Sequence, residues 1–174
     1  IEKLIHSYYK SKMHSIILTV HDKGWLIGDV IKGIKNNTVG DYELIVVVDG
    51  CSDDSETVVK DSVQDIKNYT VMFADDVFET KANNMGLKMA IGDKVIIVQD
   101  DMIIKEFGWN MRMEKPFIAF DDVFAVTART AHNWIRNPNS VHYGMKEDLD
   151  NCWCDVVLHT DHAQRENTPR DIFA

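Results

Sequence analysis

Short apolar runs recur along the chain, and most are followed by a stretch with helical spacing. Ser15-Ile16-Ile17-Leu18-Thr19-Val20 is brief, β-branched and apolar, as a strand is. Residues 25–36 then place Leu26, Ile27, Val30, Ile31 and Ile34 on one helical stripe. Leu44-Ile45-Val46-Val47-Val48 reads as a second, fully buried strand. Ser52 suits an N-cap, with Asp53, Asp54 and Glu56 in the first turn of a helix over about 53–66. Tyr69–Phe73 is a third strand, and residues 80–91 form a helix stopped by Gly92. Val95-Ile96-Ile97-Val98-Gln99 is a fourth strand, read as buried and central. A helix over 106–115 runs up to Pro116, and Val123–Thr127 is a fifth strand. Residues 2–10 suit a short amphipathic helix. After Ala128 the pattern dissolves into polar sequence, read as long loops with one strand at 153–158.

Strand–helix alternation of this kind predicts an α/β fold, a mainly parallel sheet flanked by helices on both faces, with right-handed crossovers. At 174 residues the chain suffices for a single domain with a sizeable core. The expected layout is one domain over 1–174, with an α/β core at 14–128 and a loop-rich part at 129–174. A net charge of −9 leaves no basic stripe to neutralise nucleic-acid phosphates. It also disfavours simple adhesion to anionic lipid. No stretch is long and apolar enough for a transmembrane helix. Three cysteines, Cys51, Cys152 and Cys154, follow no disulfide framework, which points to a reducing, cytoplasmic compartment, peripheral membrane contact included. Cys152-Trp153-Cys154 is a weak metal signal beside the ordinary alternative of two small strand residues.

Open parallel sheets bind ligands at the carboxyl ends of their strands, so candidate chemistry is sought there first. Four Asp-Asp pairs compete. Asp53-Asp54 opens a helix, where acids suit the dipole. Asp121-Asp122 precedes the fifth strand, at the wrong edge of a parallel sheet. Asp75-Asp76 follows the third strand at the correct edge, in what reads as a solvated polar turn. Asp100-Asp101 ends the fourth strand, and two adjacent carboxylates there suit a hard divalent cation with a phosphate beyond it. Asp49-Gly50 ends the second strand, where a carboxylate can accept from a base N–H or simply belong to a capped turn. His21 ends the first strand, as a ring able to stack on a base or as a surface histidine. No G-x-G-x-x-G and no G-x-x-x-x-G-K-[ST] is present, which disfavours a Rossmann dehydrogenase or P-loop enzyme.

Taken together, four segments resemble the family 2 glycosyltransferases. Ser15–Lys23 is similar to the opening S-V-I-I-P-T-Y-N-R. Val46–Asp53 is similar to V-V-D-D-G-S-T-D. Ala82–Asp93 is similar to A-R-N-x-G-x-x-x-A-x-G-D, and Val95–Asp101 to the strand entering the D-x-D metal motif. The resemblance spans residues 15–101. It implies a GT-A-type nucleotide-diphospho-sugar fold and transfer of a sugar from a nucleotide sugar, typically UDP-linked, to an acceptor hydroxyl of a glycan, lipid or protein. It places Val20, His21, Asp22, Asp49, Asn84 and Asp100 at the donor, Asp49 on the base and His21 beside it. Asp101, with Asp100, matches the ligands of Mn²⁺ or Mg²⁺. Asn83 stands where the family commonly has Arg, and Lys81 is the candidate substitute.

The resemblance further implies inverting transfer, with a carboxylate as general base. That base normally lies in an E-D motif downstream. Lys146–Asp150 is the acidic cluster of the remainder and reads first as a solvated loop; His159 and His162 form a weak H-x-x-H. No catalytic residue is assigned, and a chain beginning at Ile1 reads as a piece of a longer one. A nucleotide-sugar-binding fragment without transferase activity is therefore the alternative expectation.

Overall fold

The structure is a computed structural model that describes residues 13–131 and 153–160. The helix expected over 2–10, the acidic cluster at 146–150, Cys152 and His162 lie outside the described residues, as do the side chains of Cys154 and His159. The chain divides into two compact units, one ending at Trp109 and one beginning at Asn110.

The first unit runs β1 (His14–Val20), α1 (Gly24–Asn37), β2 (Tyr42–Asp49), α2 (Ser55–Ser62), β3 (Tyr69–Ala74), α3 (Glu79–Met89) and β4 (Lys94–Gln99). Its four strands form an all-parallel sheet in the order β3-β2-β1-β4. The core shows period-two logic on the sheet and helical spacing above it. Ile16, Leu18 and Val20 of β1 join Leu44, Val46 and Val48 of β2 beneath Ile27, Val30, Ile31 and Ile34 of α1 and Val59 of α2. The alternate residues Ile17, Ile45 and Val47 are equally buried on the opposite face. There α3 packs so closely that a Cβ on Gly86 would sit 2.6 Å from Ile17 Cγ2. Helices thus cover both faces, as the alternation predicts.

Several expectations need correction. β4 is an edge strand of this sheet, and its Val95 and Ile97 are 41% and 48% exposed. An apolar run alone does not distinguish an edge strand from a central one. The central strands are β1 and β2. α2 begins at Ser55, because Asp53 turns its side chain onto the Ser55 N–H (2.9 Å) in place of entering the helix. Ser52, the expected cap, instead pairs with Asp22. α3 ends at Met89, before Gly92. Gly92 is required by proximity: a Cβ there would lie 2.6 Å from the Met13 carbonyl oxygen.

In the second unit, α4 (Trp109–Ala119) continues through Pro116, and the Phe120 N–H still reaches the Pro116 carbonyl at 3.0 Å. β5 (Val123–Ala131) does not extend the parallel sheet. It pairs antiparallel with β6 (Trp153–Thr160), so the expected strand at 153–158 is present and slightly longer. Pairing partner and direction are set by tertiary geometry, which a hydrophobic run does not encode.

Asp53 ties the two helices of one face together. Its Oδ2 accepts from the Gly24 N–H at 2.8 Å, at the first residue of α1, while Oδ1 serves α2. The Ser55 hydroxyl and these N–H groups hold its carboxyl below the usual carboxylate range. A depressed folded pKa gives stability that is present above the unfolded pKa and lost as pH falls through the folded one. Asp53→Asn is therefore expected to be less stable than wild type at neutral pH, with the two converging as pH falls below the ordinary carboxylate range. Urea midpoints across that range check this; a constant difference at all pH values would contradict it.

Candidate functional site

β1 pairs in register with both neighbours, so Thr19 lies beside Gln99 and Val20 beside Val48. Asp49 lies beside Ala74 on β3. The four strands therefore finish at one level, and the residues that follow them share one edge. The order of the sheet reverses at β1, whose two neighbours are reached by connections going opposite ways. That switch point is where parallel sheets open a crevice.

A cleft of about 300 Å³ opens there, lined among others by Val20, His21, Asp49, Asp76, Asp100 and Asp101. His21 holds it together. Its backbone N–H donates to Asp100 Oδ2 at 3.0 Å, spanning β1 and β4. Its ring Nδ1 lies 2.6 Å from the Asp49 carbonyl oxygen, spanning β1 and β2. A carbonyl oxygen accepts and cannot donate, so Nδ1 carries the proton, while Nε2 lies 3.8 Å from Asp22 Oδ2. That hydrogen bond, together with the carboxylates of Asp22, Asp76 and Asp49, raises the imidazole pKa above its usual value against a partial loss of hydration.

Asp49 is 3% exposed, yet it lines the cleft. Its Oδ1 accepts from the Val77 N–H at 2.7 Å. Val77 belongs to the turn between β3 and α3, and that turn is unusual. Asp76 and Phe78 have φ of +52° and +69°, and Asp22, beside the same edge, has +48°. Asp tolerates this region, whereas a bulky Phe rarely occupies it. Strain of this kind gathers where a ligand site must be shaped. One ring nitrogen of His21 and one carboxylate oxygen each of Asp49 and Asp76 lie within 4.8 Å of one another.

The sequence reads Asp76 as part of a solvated turn; it is exposed there, and it also lines the cleft beside Asp49. Its position after β3, at the binding edge, is the signal that points there. What hides it is the polar sequence around it and the long-range contact with Gly50. A Cβ on Gly50 would stand 2.7 Å from both Asp76 N and Asp76 Cβ, and Gly50 has φ +57°. Phe78 and Glu79 also line the cleft, and Glu79 Oε1 accepts from Gln99 Nε2 at 3.2 Å. Neither stands out in the sequence.

The other expected site residues separate. Asp100 is half-buried and Asp101 exposed. The chain beyond them is anchored, since Asn37 Nδ2 donates to the Ile104 carbonyl at 2.8 Å beneath α1. Asp22 does not line the cleft; its Oδ1 accepts from the Ser52 N–H at 2.7 Å. Lys81 and Asn84 are exposed on α3 and do not line it either. Among the described residues, a second cluster of possible ligands joins Asp22, Cys51 and Asp53. Its members are engaged: Ser52 holds Asp22, Gly24 and Ser55 hold Asp53, and burial pushes the Cys51 thiol pKa up, away from thiolate. That cluster is a clasp between loops.

Residues 15–169 match the family described as Glycosyl transferase family 2. The chain belongs to that family. Among relatives of this family 2 chain, the glycosyltransferase GlyG of Streptococcus pneumoniae is 26% identical over 97 residues, covering 55% of this chain and 32% of GlyG. The chain thus spans about a third of the length of that curated relative. Among solved structures, glucosyl-3-phosphoglycerate synthase of Mycobacterium tuberculosis, in complex with Mg²⁺ and uridine-diphosphate, superposes with a TM-score of 0.54 at 20% identity. It matches over 65% of this chain and 42% of the synthase. TarS of S. aureus superposes at 0.50, 20% identical, over 62% of this chain and 31% of TarS. These likenesses show a shared GT-A-like fold.

Gly50 supplies a direct test of the turn. Gly50→Ala is expected to cost about 2–3 kcal/mol, combining an unfavourable left-handed φ with displacement of Asp76. Gly40 is the control, at φ +83° with nothing within 4 Å of the place a Cβ would take. Gly40→Ala is expected to cost about 1 kcal/mol. Chemical denaturation of both variants measures the difference; equal costs would show that the Asp76 contact carries no weight.

Proposed function

We propose that this chain forms the donor side of a glycosyltransferase that moves a sugar from a nucleoside diphosphate sugar to an acceptor hydroxyl. The observation that carries the proposal is the His21 bridge. In a family 2 chain, one residue fixes Asp49, the candidate base contact, and Asp100, the candidate metal neighbour, at one switch-point cleft.

The cleft's chemistry fits a hard cation. Its lining includes five carboxylates, Asp49, Asp76, Glu79, Asp100 and Asp101, and no Lys or Arg among the described residues. A diphosphate entering it would meet like charge unless a divalent ion came with it. Mg²⁺ and Mn²⁺ suit such places, since one or two carboxylates and substrate phosphates complete their shells. Asp101 and Asp100 would hold the ion. Phosphate oxygens of the donor would supply the rest of its shell. When bound, the ion supplies Lewis-acid stabilisation of charge developing on the departing diphosphate.

The chain's own residues then have distinct tasks. Asp49, with one oxygen fixed by Val77, presents the other to the base. His21 keeps Asp49 and Asp100 at a constant separation, so base and diphosphate subsites stay in step. Phe78, 77% exposed on the rim, offers an apolar surface. Inverting attack by an acceptor hydroxyl on the far side of the anomeric carbon completes the proposed reaction. The same cleft would serve a unit that binds nucleotide sugar without transferring it.

Titration calorimetry with UDP, GDP, ADP and CDP, with and without Mn²⁺, tests the proposal. At least one nucleotide is expected to bind wild type about tenfold or more tightly with Mn²⁺, and Asp101→Ala is expected to lose that gain. Equal, metal-independent binding by both proteins would sink the metal assignment. Release of free sugar or transfer to an acceptor, assayed on the same protein, separates the enzyme from the binding unit.

A further inference from the structure

We infer that Phe78 is a stacking platform for the base of the donor, its ring packing on the flat face of the heterocycle. This rests on reading the cleft as a nucleoside diphosphate sugar site. The resemblance in sequence assigns Phe78 no role. It places His21 beside the base, and the edge of the His21 ring is committed to the Asp49 carbonyl oxygen.

The backbone supplies the first observation. Phe78 has φ +69° and ψ +157°. That combination lies outside the small left-handed helical well and is open essentially to glycine, so a side chain is held there against a penalty. Its neighbours fix the conformation from both sides. The Val77 N–H donates to Asp49 Oδ1 at 2.7 Å. The Phe78 carbonyl oxygen accepts from the N–H groups of Lys81 and Ala82, at 3.1 and 3.0 Å, and so opens α3. Glycine would meet both demands without strain.

The side chain supplies the second. Phe78 is 77% exposed, so its ring adds little to the core. It nevertheless lines the cleft, as the largest apolar side chain there, among carboxylates. An apolar ring on a penalised backbone, left in water, does not stabilise the fold; covering it with a ligand recovers the burial it lacks. In a nucleoside diphosphate sugar the phosphates and sugar hydroxyls need charge or hydrogen bonds, whereas the base presents a broad π-face. Base–aromatic stacking needs no hydrogen-bond pattern, so it serves any base. Phe78 also follows Val77, whose N–H holds Asp49, the proposed base contact. Groups for the edge and the face of the base thus depend on consecutive residues.

Phe78→Gly, Phe78→Leu and Phe78→Tyr test the inference. Each is read by its urea midpoint and by calorimetry, in the presence of Mn²⁺, with the nucleoside diphosphate that wild type binds best. Phe78→Gly is expected to have a higher midpoint than wild type, because strain is relieved, yet to bind about fivefold or more weakly. Phe78→Leu keeps the bulk and the strained backbone without a π-face. Its midpoint is expected to stay near that of wild type and its affinity to fall about threefold or more. Phe78→Tyr keeps the ring and is expected to bind within about twofold of wild type. Affinity unchanged in Phe78→Gly and Phe78→Leu, or a lower midpoint in Phe78→Gly, overturns the inference and leaves the nucleotide-sugar reading standing. Failure of every nucleoside diphosphate to bind wild type overturns both.

Discussion

Everything at the candidate site depends on β1 being paired in register on both sides. His14 is opposite Tyr42 on one neighbour and Lys94 on the other, and the match continues to Val20 and Thr19. Because parallel strands in register end at one level, the residues just past each end are neighbours without any further device. His21 can then reach the carbonyl of Asp49 and the carboxylate of Asp100 from a single position. A slip of one residue would turn Ile16, Leu18 and Val20 out of the core beneath α1 and carry His21 away from both partners. Core packing and site geometry are thus enforced by the same alignment.

The edge so formed is where the chain departs from ordinary backbone geometry. Asp22, Asp76 and Phe78 are its non-glycine residues with positive φ among those described, and all three follow strand ends. The sheet below them is rigid and apolar, which is what allows such conformations to persist. Gly50 makes room for Asp76, and Asp76 in turn positions Val77 to hold Asp49. The order of dependence runs from one missing Cβ to the orientation of a buried carboxylate.

Legibility in the sequence follows the range of the interaction. Strand–helix alternation, the stripe of α1 and the strand ends at His21, Asp49 and Asp100 depend on local pattern and are readable from it. The edge position of β4 and the antiparallel partner of β5 depend on what lies beside them in space, and an apolar run carries no such information. Asp76 illustrates the same limit at the site. Its neighbours in sequence are polar and ordinary, and its meaning comes from Gly50 and Asp49, which are distant along the chain. Asp22, Lys81 and Asn84 show the converse: a motif places a residue near a site, but Asp22 is engaged by Ser52, and Lys81 and Asn84 sit on the exposed surface of α3.

Charge gives the site its division of labour. The chain carries a net charge of −9, and the cleft concentrates carboxylates without a described Lys or Arg among its lining residues. Long-range attraction therefore does not favour a polyphosphate, and on the proposed reading the affinity comes from a cation at one end and hydrogen bonding at the other. At the cation end, selectivity is low, since every nucleoside diphosphate presents the same phosphate oxygens. On the proposed reading, discrimination falls to the other end, where Asp49 is buried at the cleft. A mismatch is most costly there, and it is the end of the cleft that the strained turn and Gly50 hold fixed.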